Sequence, residues 1–183
     1  ILSNGYYIDL LLSVEDHYLV DPMPDVDLTE TEAKRILGGE ATMWAELVTP
    51  LTVDSRIWPR TAAIAERFWS PQDVRDLDHM YKRLNTISQF LELIGIQHMK
   101  SKEYILRNIA NYQDTHGLRA LTYISEPFKI YSRNAGGTEY KTFSPFTLFA
   151  DACTSDAKSV RDFRHLVDQY KKEPSELVKN ELN

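Results

Sequence analysis

Two short apolar runs, Tyr6-Tyr7-Ile8 and Ile36 to Trp44, are each followed by a helical stretch, and this alternation restricts the fold more than any other feature of the chain. The first run follows a turn-like Asn4-Gly5 inside an apolar, aromatic opening over residues 1–12. The second is interrupted by Gly38-Gly39, a pair expected where backbones approach closely. Apolar strands that alternate with helices belong to a parallel sheet covered by helices. Two such units cannot close a stable sheet alone, and a complete barrel of them takes about 250 residues. The chain has 183, opens on Ile1-Leu2 without an initiator Met or a signal-type segment, and stops inside a helical pattern at Ser175 to Leu182. These features together lead us to expect a fragment of a larger fold.

The helices are legible from spacing and punctuation. An acidic loop with two prolines spans residues 21–30, after which Thr29 or Thr31 is placed to cap a short helix through Arg35. Pro59 suits the first turn of a helix. The run Thr61 to Trp69 is rich in small residues, as a helix packed tightly on a sheet would be, and Ser70-Pro71 stops it. Val74, Leu77, Tyr81, Leu84, Ile87, Leu91 and Ile94 recur every three or four positions and predict a second helix, closed by Gly95. After about residue 101 the texture changes, and the chain is read as 1–95 followed by a mainly helical extension over 96–183. Ile105, Leu106, Ile109 and Tyr112 predict a helix there. An irregular aromatic tract with a turn at Asn134-Ala135-Gly136-Gly137 follows, then a helix from Ser155 or Asp156 bearing Val160, Phe163, Val167 and Tyr170, and a last one from Pro174.

Composition removes several functions. With 21 Lys+Arg against 27 Asp+Glu the formal charge is 21 − 27 = −6, the wrong sign for a nucleic-acid partner. No run approaches the roughly 20 apolar residues of a membrane span. Cys153 is the single cysteine, so no intrachain disulfide can form, and it reads as a buried small hydrophobe. His17, His79, His98, His116 and His165 are scattered without metal-ligand spacing, and the acidic loop Asp21 to Glu32 lacks the ligand rhythm of a calcium loop. Neither a metal nor a cofactor is expected.

Two segments carry more than periodicity. The first is Gly5-Tyr6-Tyr7-Ile8-Asp9-Leu10 with His17-Tyr18-Leu19-Val20-Asp21-Pro22. The second is Leu37-Gly38-Gly39-Glu40-Ala41-Thr42-Met43-Trp44-Ala45-Glu46 with Arg56-Ile57-Trp58-Pro59-Arg60-Thr61-Ala62-Ala63-Ile64-Ala65-Glu66-Arg67-Phe68-Trp69-Ser70. Together, over about residues 1–95, they closely resemble the C-terminal third of the catalytic domain of β-N-acetylhexosaminidases, glycoside hydrolase family 20. The resemblance implies an α/β fold, the last two βα units of a (β/α)8 TIM barrel followed by a mainly helical region. Active sites of that fold lie at the C-terminal ends of the strands. Tyr7 and Asp9 then end one strand and Trp44 and Glu46 the next, and members of a pair two apart in an extended segment point the same way.

The family's chemistry, by resemblance, is the substrate-assisted form of retaining glycoside hydrolysis. The substrate's 2-acetamido oxygen attacks the anomeric carbon, an Asp orients that group, and the adjacent Glu protonates the leaving oxygen. Nothing in this chain matches that Asp-Glu pair, since Glu15-Asp16 has the reverse order and another context, so the isolated chain is expected to be inactive. Tyr7 resembles the tyrosine that hydrogen-bonds the acetamido oxygen, Asp9 a carboxylate near O6, Glu46 the carboxylate that holds O4 and O6, and Trp44 an indole lining the acetamido and ring pocket. Val14-Glu15-Asp16 stands where many members have a further pocket tryptophan. The implied partners are a glycan ending in N-acetylglucosamine or N-acetylgalactosamine and the N-terminal part of the same protein, in a periplasmic or secreted setting. Glu40 reads as a buried hydrogen-bonded acid, and Trp58, Arg60, Glu66, Arg67 and Trp69 read as structural. The alternative is a non-catalytic carbohydrate-binding or protein-interaction module.

Overall fold

The computed structural model describes residues 3–23, 26–130 and 147–182. The two apolar runs lie side by side in parallel, joined at Tyr7 and Thr42. Ile8 N donates to the Thr42 carbonyl at 2.9 Å, and Thr42 N donates to the Tyr6 carbonyl at 3.0 Å. The expected strands are shorter than the apolar runs. Tyr7 leads straight into a 3-10 turn, Ile8–Leu10, ended by Leu11 at φ 57°, and Trp44 leads into a second, Ala45–Leu47. Two strands make few ladder bonds between them, and such a pair is marginal without further neighbours; among the described residues the two runs are joined at the Tyr7–Thr42 bridge.

Helix α1, Val14–Tyr18, begins at a capping box in which Ser13 and Asp16 satisfy each other's backbone N–H groups. Thr29 and Glu32 form the same box ahead of α2, Glu30–Ala33, as the threonine predicted. Helices α3, Val53–Ile57, and α4, Arg60–Trp69, are separated by a cis Trp58–Pro59 bond. Pro59 therefore precedes α4 rather than occupying its first turn. Helix α5, Leu77–Leu93, starts at Asp76, whose carboxylate accepts from His79 N at 2.9 Å. Val74 thus falls before the helix. The chain leaves α5 through Gly95 at φ +104°, a conformation that glycine adopts without steric cost.

Helix α4 connects two cores. Ala63 packs with Val14, Tyr18, Met80 and Leu84. Ile64, one position on, packs with Tyr6 and Ile8 beneath the bridged runs, where the Tyr6 and Phe68 rings meet edge to face at 4.8 Å. The region after residue 96 holds α6, His98–Ile109; α7, His116–Tyr123; α8, Leu148–Ala152; α9, Lys158–Lys172; and α10, Glu176–Leu182. Tyr112 lies past the end of α6 at φ 61°. The turn expected at Asn134 to Gly137 lies outside the described residues. Ile105, Leu106 and Ala152 form a third core that also takes in Leu51. Cys153 is buried next to Ala152. Helix α9 starts at Lys158, three residues later than the earliest start expected, because the Asp156 carboxylate is committed elsewhere: it accepts from Val14 N at 3.0 Å and from the Tyr81 hydroxyl at 2.8 Å. Among the described residues no helix is long and apolar enough to cross a membrane.

Candidate functional site

The parallel bridge sets the two 3-10 turns next to each other, and a small, shallow depression, open to solvent, lies between them. Its lining includes Asp9 and Leu11 from the first segment, Met43, Trp44 and Leu47 from the second, and Arg56 from α3. Asp9 and Trp44, 35 positions apart in sequence, are thereby brought together. Trp44 is 61% exposed, so its indole is open to a ligand and is not a core residue.

Tyr7 is half-buried at the bridge itself and is not part of that lining. The Glu46 side chain lies outside the described residues, its backbone being in the second turn. Neither pair lies wholly in an extended segment. Asp9 and Glu46 each sit within a tight turn, where the alternation of an extended strand is lost. Glu40 is exposed, which corrects the expectation of a buried acid: the residue falls between the α2 turn and the bridge, where the chain has not yet entered the core. Trp69 is 91% exposed and does not fasten α4 to the other described residues. The fastening belongs to its neighbours. Arg67 donates to the carbonyls of Val74 at 2.7 Å and Pro71 at 2.6 Å, and Glu66 accepts from the Tyr18 hydroxyl at 2.8 Å and pairs with Arg83.

The electrostatics of the depression rest on two arginines. Arg60 is buried and donates to the carbonyls of Ile8 at 2.7 Å, Leu12 at 3.2 Å and Arg56. Burial, and secondarily the Arg56 guanidinium, push its pKa down to about 10, while the charges of Asp156 and Asp9 act the other way. It therefore remains a cation at neutral pH, and one guanidinium ties down both ends of the turn that carries Asp9. Arg56 is buried as well and forms an ion pair with Asp151 of α8 at 2.5 Å. Burial lowers the Arg56 pKa and raises that of Asp151, and each partner opposes the other's shift. Sequence reasoning missed Arg56 and Asp151, because a charged residue on a short helix is solvated by default and no local pattern announces a partner 95 positions away.

The catalytic-domain model of glycosyl hydrolase family 20 matches residues 2–72. Among curated relatives, the chain is 44% identical over 87 residues to the β-hexosaminidase subunit beta of Sus scrofa, a match covering 46% of the chain and 16% of that protein. It is 41% identical over 95 residues to the β-hexosaminidase subunit A1 of Dictyostelium discoideum, covering 52% and 17%. The crystal structure of the Flavobacterium johnsoniae chitobiase is 55% identical and superposes with a TM-score of 0.86, covering 99% of this chain and 28% of that one. The likeness to the chitobiase thus continues well past residue 95, beyond the reach of the two motif segments. Family 20 is a glycosidase family built on the (β/α)8 barrel, and the chain spans under a third of each of these proteins.

Proposed function

We propose that the chain is the sugar-holding part of an exo-acting β-N-acetylhexosaminidase that removes terminal N-acetylglucosamine or N-acetylgalactosamine. In this reading residues 1–95 contribute the last two βα units of the barrel and 96–183 a helical extension. The observation that carries it is the depression between the two turns, in which a carboxylate, Asp9, stands beside an exposed indole, Trp44, inside the stretch that matches family 20. A carboxylate next to an aromatic face suits a sugar, whose hydroxyls donate hydrogen bonds and whose ring carbons pack on an apolar plane.

The reaction divides between this chain and the rest of a longer protein. The acetamido oxygen of the substrate is the nucleophile, and Tyr7 donates a hydrogen bond that aims it at the anomeric carbon. Asp9 and Glu46 accept from the sugar hydroxyls around O4 and O6, and Trp44 covers the ring and the acetamido methyl. The Asp that orients the acetamido group and the Glu that protonates the leaving oxygen come from outside this chain.

The test is hydrolysis of 4-nitrophenyl N-acetyl-β-glucosaminide by the full-length protein that carries this chain. Turnover that falls about a hundredfold or more in kcat/KM on Glu46→Gln, a loss on the scale of a charged hydrogen bond to substrate, is the expected result. The 183-residue chain alone should give none. A full-length protein that binds N-acetylglucosamine without turnover would replace this reading with that of a carbohydrate-binding module.

A further inference from the structure

Three contacts from the region after residue 96 converge on the segment Leu10 to Val14 and on the floor of the depression. Ile130 N donates to the Leu10 carbonyl at 2.8 Å. Asp156 accepts from Val14 N at 3.0 Å, and Arg161, paired with Asp156 at 2.8 Å, lies over the Tyr81 ring at 3.7 Å. Asp151 pairs with Arg56, which lines the depression. The third contact is the most direct, because it fixes a charged group of the site itself.

Both members of that pair are nearly inaccessible, Arg56 at 3% and Asp151 at 7%. A buried guanidinium needs its counter-charge. The Arg56 backbone carbonyl in turn accepts from Arg60, whose other bonds hold the carbonyls of Ile8 and Leu12 on either side of Asp9. Asp151, Arg56, Arg60 and the Asp9 turn thus form one continuous polar chain running from α8 to the depression.

We propose, building on the sugar-site reading above, that Asp151 is a positioning residue for sugar binding, acting through Arg56, and that α8 is part of the site's construction. Asp151 touches no sugar. It holds the Arg56 guanidinium against the depression beside Asp9 and Trp44, so the positive charge there is fixed before the ligand arrives.

The experiment uses the full-length protein with Asp151→Asn, Asp151→Glu and the double replacement Arg56→Met/Asp151→Leu, measuring KM and kcat on 4-nitrophenyl N-acetyl-β-glucosaminide together with the melting temperature. Apolar replacement of both members of a buried pair commonly preserves the fold, so the double variant separates charge from stability. The expected result is a KM raised about tenfold in Asp151→Asn with kcat reduced far less, most of the loss recovered in Asp151→Glu, and the raised KM retained in a double variant that melts near the wild type. A wild-type KM in the double variant, or in Asp151→Asn that remains folded, overturns the proposal and leaves the pair a packing feature. If the double variant does not fold, equal KM values for Asp151→Asn and Asp151→Glu overturn it. Absence of any turnover by the wild-type protein would remove the sugar-site reading and this inference with it, whereas wild-type turnover with unaltered variant KM values removes this inference alone.

Discussion

The Nη2 of Arg60 lies 2.7 Å from the carbonyl oxygen of Ile8, a residue 52 positions earlier, while its Nη1 reaches the carbonyl of Leu12. A planar, forked donor can satisfy several carbonyls at once, and a lysine ammonium on a flexible stem cannot reproduce that geometry. Arg60→Lys is expected to lower unfolding stability by about 2 kcal/mol, the cost of leaving buried acceptors unpaired. Arg60→Met should do no better, since it leaves every one of those carbonyls without its donor. Urea unfolding of the full-length protein checks both, and a change under about 0.5 kcal/mol for either would mean that the Asp9 turn is held by something else.

The sequence-readable part of this architecture is the local part. Thr29 at a helix start, Gly95 at a helix end, and the three- and four-residue spacing of α5 are short-range signals that need no knowledge of the rest of the chain. The motif segments likewise pointed to Asp9 and Trp44, which share the depression. What could not be read is what depends on distant partners: the burial of Arg56, the Asp151 that neutralises it, the delay in α9 caused by Asp156, and the exposure of Glu40 and Trp69. Helix α1 lies between these cases. Ser13-x-x-Asp16 is a recognisable capping pattern, with an Asp where a Glu or Gln is usual, in a stretch too short for periodicity to be seen.

Gly5 offers a separable test of backbone and packing. Its φ is +89°, and a Cβ placed on it would come within 2.8 Å of both methyl groups of Val20. Gly5→Ala therefore carries two costs, the left-handed backbone at roughly 1–2 kcal/mol and a clash with a short side chain whose own carbonyl is held by the Tyr6 hydroxyl at 3.0 Å. Gly5→Ala/Val20→Ala should recover the second cost but not the first, apart from the loss of the valine's own packing. Melting curves of the two variants distinguish the contributions. Equal stability of Gly5→Ala and wild type would contradict both.

His17 should make the protein sensitive to mild acid. The ring is fully buried, its Nδ1 donates to the Gly5 carbonyl at 2.8 Å, and its Nε2 is buried without a hydrogen-bond partner. Burial, chiefly, holds its pKa below the usual 6.5, with Arg60 adding to the effect and the Gly5 carbonyl opposing it. His98 is shifted in the same direction by burial. The folded pKa is thus lower than the unfolded one. Above pH 6.5 neither state is protonated at this site and no stability is lost. As pH falls below 6.5 the unfolded chain takes up a proton that the folded chain refuses, so stability declines until the folded pKa is passed. The slope for one such histidine approaches about 1.4 kcal/mol per pH unit. Urea midpoints at pH 8, 7, 6 and 5 should fall between 6.5 and 5 in the wild type and fall less in His17→Asn. Parallel curves would show that His17 is not the source.

Trp44 allows function to be probed with little effect on the fold. At 61% exposure its side chain contributes little to any core, so Trp44→Ala should leave the melting temperature of the full-length protein within about 2 °C of wild type, as for most exposed substitutions. The same change removes the apolar plane of the depression, against which a sugar ring would lie beside the hydrogen-bonding Asp9. An aromatic face contributes on the order of 1 kcal/mol or more to such a contact, and each 1.4 kcal/mol is tenfold in affinity. Calorimetric titration with N-acetylglucosamine should therefore show binding weakened about tenfold in Trp44→Ala, and less in Trp44→Phe, which keeps a smaller ring. If Trp44→Ala binds the sugar as wild type does, the ligand lies elsewhere and the depression is not the site. If it also melts many degrees lower, Trp44 is a packing residue in the full-length protein, covered by a surface this chain does not include.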